Sequence, residues 1–72
     1  MAREYIGKDS YGKDMYMYYS CNKVYVDHEK NGVVTRTAFV EVDNDIIMMF
    51  GSKHISGAFI YDVIRKRYRK KL

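Results

Sequence analysis

Asn31-Gly32 stands between two segments of alternating hydropathy, Val24–His28 and Val33–Val42, and constrains the fold more than any other feature. A two-residue Asn-Gly link favours a type I′ turn, in which both central residues take φ > 0 and the turn matches the twist of the strands it joins. The pair therefore predicts an antiparallel hairpin. On its first strand Val24 and Val26 share a face. On its second, Val34, Ala38, Val40 and Val42 share one face, Thr35, Thr37, Phe39 and Glu41 the other, and Arg36 interrupts the apolar side.

The rest of the chain extends this hairpin. Met15-Tyr16-Met17-Tyr18-Tyr19 is aromatic and suits a pleated surface, and Ser20-Cys21-Asn22-Lys23 reads as a turn or bulge leading into Val24. The repeat Tyr5-Ile6-Gly7-Lys8-Asp9 and Tyr11-Gly12-Lys13-Asp14 places turn chemistry after a short first strand. Asp43-Asn44-Asp45 is another turn, and Ile46-Ile47-Met48-Met49-Phe50 is a continuous apolar run expected to form a strand covered on both faces. Strands are predicted at about 3–6, 15–20, 23–28, 33–42 and 45–50, and a helix at about 53–70 with Ser52 or Ser56 as its N-cap. The expected class is α+β: a single domain (1–72) with a small antiparallel β-meander of three to five strands followed by one C-terminal α-helix.

That helix carries two apolar stripes, Ile55, Phe59, Val63 and Ile60, Ile64, Tyr68. Together they exceed the arc of roughly 100° that a helix needs to rest on one sheet. A second copy of the chain is the simplest cover for the surplus, so a homodimer is expected, with Phe59, Ile60, Ile64 and Tyr68 at the dimer or partner interface. Size argues the same way. A domain of 72 residues rarely draws more than about 3–5 kcal/mol from its core, and Cys21 is the only cysteine, so no disulfide forms within the chain.

Charge is divided unevenly. Residues 1–64 hold seven Lys/Arg and nine Asp/Glu, a net of −2, whereas Arg65-Lys66-Arg67-Tyr68-Arg69-Lys70-Lys71-Leu72 holds six cations and no acid. Cations in a last helical turn complement the helix dipole, but six exceed that need, and dense like charge calls for phosphates or an acidic partner.

Other chemistry is thin. Gly7-Lys8-Asp9-Ser10-Tyr11-Gly12-Lys13 matches the core of a phosphate-binding loop, but Asp14 stands where a Ser or Thr is required and a strand follows where a helix should. Cys21, His28 and His54 lack the paired spacing of a zinc site, and no serine sits in a Gly-rich elbow. No catalytic residue, metal ligand or cofactor is expected. The tyrosines at 16, 18, 19 and 25 are not interleaved with cations, which points to packing or a protein interface rather than base stacking.

The leading expectation is a small non-enzymatic accessory or regulatory protein binding nucleic acid through Arg65, Lys66, Arg67, Arg69, Lys70 and Lys71. The alternative is a protein–protein interaction module, a small regulator or inhibitor of the kind phages and mobile elements encode, with its tyrosine-rich or apolar face on a partner and the tail on an acidic surface. A membrane surface is a lesser option, because the apolar half of the helix is needed for the core. The lone cysteine, and the absence of an apolar signal-peptide core after Met1, point to a cytoplasmic protein.

Overall fold

The computed structural model describes residues 2–72. Four strands, β1 (Glu4–Lys8), β2 (Asp14–Ser20), β3 (Lys23–Lys30) and β4 (Val33–Glu41), form one antiparallel sheet in sequence order, and α1 (Asn44–Met49) and α2 (Gly57–Tyr68) follow. The meander and the C-terminal helix are those the sequence predicts. Asn31 (φ 54°) and Gly32 (φ 80°) make the left-handed turn between Lys30 and Val33, the pair of backbone states that a type I′ link requires.

Register fixes which residues are covered. Met15 and Met17 stand opposite His28 and Val26, and Val24 and Val26 opposite Val40 and Ala38. Strand residues alternate between faces, so this set forms one inner face, and Met15, Met17, Val24, Val26 and Val40 are buried with Val42, Ile46, Ile60, Ile64 and Leu72 in a single core. Each large aliphatic side chain buried there is worth about 1.5–3 kcal/mol. A bulge between His28 and Glu29 breaks the alternation expected for the hairpin, and Val33 and Val34 end up exposed.

The expected strand at 45–50 is instead the helix α1. A short apolar run does not distinguish strand from helix by periodicity. The turn residues before it leave Asp43 extended as an N-cap, and Ile46 goes wholly into the core while Ile47, Met49 and Phe50 pack against it. The second helix is shorter than the predicted 53–70. Ser56 is its N-cap, accepting a bond from the Phe59 amide at 3.2 Å, and Arg69 (φ 50°) closes it in the left-handed state. Ile55 thus lies in the preceding loop, although it still packs on the core.

Glu4 secures the start of α2 from across the molecule. Its carboxylate accepts the Gly57 amide at 2.8 Å, a negative charge at the positive end of the helix dipole. A Cβ on residue 57 would stand 2.4 Å from that carboxylate, so glycine is what permits the approach.

Candidate functional site

The basic segment divides according to what its members touch. Arg67 turns back to the body: its Nη1 meets both oxygens of Asp45 at 2.9 Å and stands 3.7 Å from Asp43. Tyr68 is half-buried, and its hydroxyl donates to Asp43 at 2.8 Å while accepting the Asp43 amide. These two residues bind the end of α2 to the start of α1. The Asp45 carboxylate holds the Arg67 guanidinium above its ordinary pKa, with the Tyr68 hydroxyl adding to it.

The remaining cations face solvent together. Arg65, Lys66, Arg69, Lys70 and Lys71 line one groove of about 210 Å³ in which Asp62 is the sole acid. Asp62 is already engaged by Lys66 at 3.2 Å, one turn apart on α2. Among the described residues, Arg65, Arg69, Lys70 and Lys71 form no ion pair. Five of the six predicted cations are thus brought together, and Arg67 is not among them.

The predicted partner interface does not hold as a set. Ile60 (1% exposed) and Ile64 (0%) are inside the chain's own core, packed with Ile46 of α1 and the inner face of the sheet. The stripe through Ile60 and Ile64 is therefore satisfied within one chain, whereas the stripe through Phe59 is covered only in part. Of the four residues, only Phe59, 57% exposed, presents an apolar surface.

A polar cluster not read from the sequence lies beneath the groove. His28 sits buried on the inner face of β3, opposite Met15. Its Nδ1 is 2.7 Å from Asp9 Oδ2, and its Nε2 is 2.8 Å from the Leu72 carbonyl oxygen and 3.1 Å from Arg36 Nη2. The other Asp9 oxygen accepts the Tyr11 and Lys13 amides at 2.8 and 2.9 Å. Partial burial works against the Asp9 charge, but the Lys13 amide, the His28 ring and the Tyr11 amide outweigh it and hold the carboxyl below its ordinary value. This cluster also settles the resemblance of residues 7–13 to a phosphate-binding loop. Gly7 lies within β1, Asp14 opens β2, and the loop amides serve the protein's own carboxylate.

Above His28 opens a cleft of about 650 Å³, with Ile6 and Met15 in its floor, Tyr11 and Tyr61 on its sides, and Arg65 and Lys71 at the edge it shares with the basic groove. No local motif announces it, since residues 9, 28, 36, 61 and 72 come from five separate segments.

On the opposite face of the sheet the aromatic rings pack against one another, one pair stacked and the others tilted. Tyr18 and Tyr25 are parallel with centroids 5.1 Å apart, Tyr25 and Phe39 follow at 5.9 Å, and Tyr5 and Tyr16 at 5.4 Å. Asp27 is buried among them, accepting from Thr37 at 2.7 Å and from Tyr18 and Arg3 at 3.1 Å each. Arg3 also pairs with Glu29 and lies 4.4 Å over the Tyr16 ring. One arginine thus serves both Asp27 and Glu29.

Among the described residues no three His, Cys, Asp or Glu side chains gather as metal ligands would, and no helix is long and apolar enough to cross a membrane. Compared with models of known protein families, with curated proteins and with solved structures, the chain matches none.

Proposed function

We propose that the chain is a small non-enzymatic accessory or regulatory protein that binds nucleic acid through the end of α2 and the residues after it. One observation supports this reading above the rest: five cations share a groove whose only acid, Asp62, is already paired. Cations held that close repel one another, and a row of phosphates turns the repulsion into attraction while releasing the counterions condensed on the strand. Phosphate contacts fix position without reading sequence, so general binding is expected.

Replacing Arg65, Lys66, Arg69 and Lys70 together with Glu tests the reading. All four are exposed and none is in the core, so the variant should melt like the parent while losing its gel shift at low salt. Unchanged binding by a folded variant would remove the proposal. If each groove cation neutralises one phosphate of a duplex, the log–log dependence of affinity on salt should have a slope of about −4 to −5.

A protein-binding module is the second reading. The aromatic face of the sheet favours it, together with Phe59 and Met48, which stand exposed on the two helices. Homodimerisation belongs to this reading, and light scattering at micromolar concentration separates a dimer from a monomer.

A further inference from the structure

The groove and the cleft are one continuous surface, because Asp62, Arg65 and Lys71 line both. Their charges differ in a way that matters. Both acidic side chains of the cleft are engaged, Asp9 by His28 and two amides and Asp62 by Lys66. Arg65 and Lys71 at the shared edge form no ion pair among the described residues. Arg65 is held 5.6 Å over the Tyr61 ring, so a planar guanidinium suited to a phosphate lies next to an aromatic wall. Tyr11, 88% exposed in the loop between β1 and β2, is a second aromatic side chain in the lining. The floor is apolar at Ile6 and Met15 and polar at His28 and Arg36. The volume of about 650 Å³ lies in the range of small-molecule sites, roughly 300–1,000 Å³.

We propose that this cleft receives one nucleotide, with its phosphate between Arg65 and Lys71 and its base against Tyr61 and Tyr11. The inference rests on the nucleic-acid reading above and specifies it: the preferred partner has an unstacked nucleotide, at an end or in a single strand, beside phosphates that run along the groove. A fully paired blunt duplex meets the groove but leaves the cleft empty. A free nucleotide has the same chemistry and fits the same place.

Two measurements on the full chain test this. In an amide ¹H–¹⁵N titration with adenosine monophosphate, saturable shifts are expected at residues 9–12, 28, 61–65 and 71–72, with inorganic phosphate alone giving weaker shifts limited to residues 65–71. Absence of shifts, or equal shifts from the two ligands, overturns the proposal, since no base is then being held. In fluorescence anisotropy, a duplex with a single-stranded overhang should bind about tenfold or more tightly than the same duplex blunt-ended, as loss of one stacked base implies.

Tyr11→Ala, at an exposed loop position, should narrow that ratio without changing affinity for the blunt duplex. Tyr61→Ala should do the same, and Tyr61→Phe, which keeps the ring in its half-buried seat, should restore it. Equal affinity for both duplexes, with the four-Glu variant binding neither, overturns the cleft and leaves the groove reading intact. Cleft shifts with the mononucleotide in a protein that binds no strand would support the cleft with a free nucleotide as its ligand, and overturn the groove reading.

Discussion

The two halves of α2 lie along one axis and serve opposite ends. Gly57 to Ile64 is fastened by a Ser56 cap, a carboxylate from β1, and two isoleucines with almost no exposed surface. From Arg65 onward Arg67, Tyr68 and Leu72 bind back to the body and Lys66 pairs with Asp62 on the same helix, while Arg65, Arg69, Lys70 and Lys71 form no ion pair among the described residues. The difference teaches that helix continuity does not imply a common role. The first half is specified by what it excludes from water. The second is specified by charge that the fold does not neutralise.

The sharpest way to break this division is Ile64→Ala, in the last turn of the buried half. Truncating a fully buried Ile costs about 2–5 kcal/mol, which in a domain of this size should lower the melting temperature by about 10 °C or more. Nucleic-acid affinity of the folded fraction should not change. Should the variant fail to fold, Ile64→Val, at about 0.5–1.5 kcal/mol, carries the same test. A binding loss in excess of the folded fraction would show that the halves are coupled.

A smaller effect is expected where the segment beyond the helix is tied to the sheet. Asp9 titrates lower in the folded chain than its ordinary value of 3.8. Its stabilisation is therefore complete above that value and is lost as pH falls through the lower, folded one. Thermal melts carried from pH 7 down to about pH 2 should show this loss in the parent, and Asp9→Asn should flatten that acid limb while lowering stability near neutrality. An unchanged acid limb would mean that Asp9 does not anchor His28 and, through it, Leu72.

The smallest effect belongs to Arg67→Gln. The pair with Asp45 is more than a third exposed on both sides, and such pairs contribute little and weaken with salt. A slight, salt-sensitive fall in melting temperature with unchanged binding is expected. A large loss of affinity would return Arg67 to the nucleic-acid surface.

Legibility in the sequence followed the range of each signal. The hairpin at Asn31-Gly32 and the strand pattern around it are local, and both stand in the structure with ends shifted by one or two residues. Ile46–Phe50 reads as a strand because all five of its residues are apolar types that a buried strand and a short helix both use, and only the missing partner strand decides between them. The sequence assigns Ile60 and Ile64 to a partner because a helical wheel does not reveal that α1 packs beside α2. The basic groove was nearly all legible, since its cations are contiguous, and Arg67 was the exception because its partner Asp45 lies 22 residues away. The cleft was not legible: Asp9, His28, Arg36 and Leu72 meet only through the register of the sheet and the path of the chain after α2.

The sheet has one more consequence, for the order in which the molecule assembles. Each strand pairs with its neighbour in sequence, so every pairing in the sheet closes a short loop and forms quickly for a β-structure. The bond from Glu4 to the Gly57 amide instead spans 53 residues, and the closure from His28 to Leu72 spans 44. These long closures are the slow steps expected of the folding reaction, taken after the meander exists. The wall and rim that α2 and Lys71 add to the cleft therefore arrive last, and a chain halted at the sheet would have a formed hairpin but no place for a ligand.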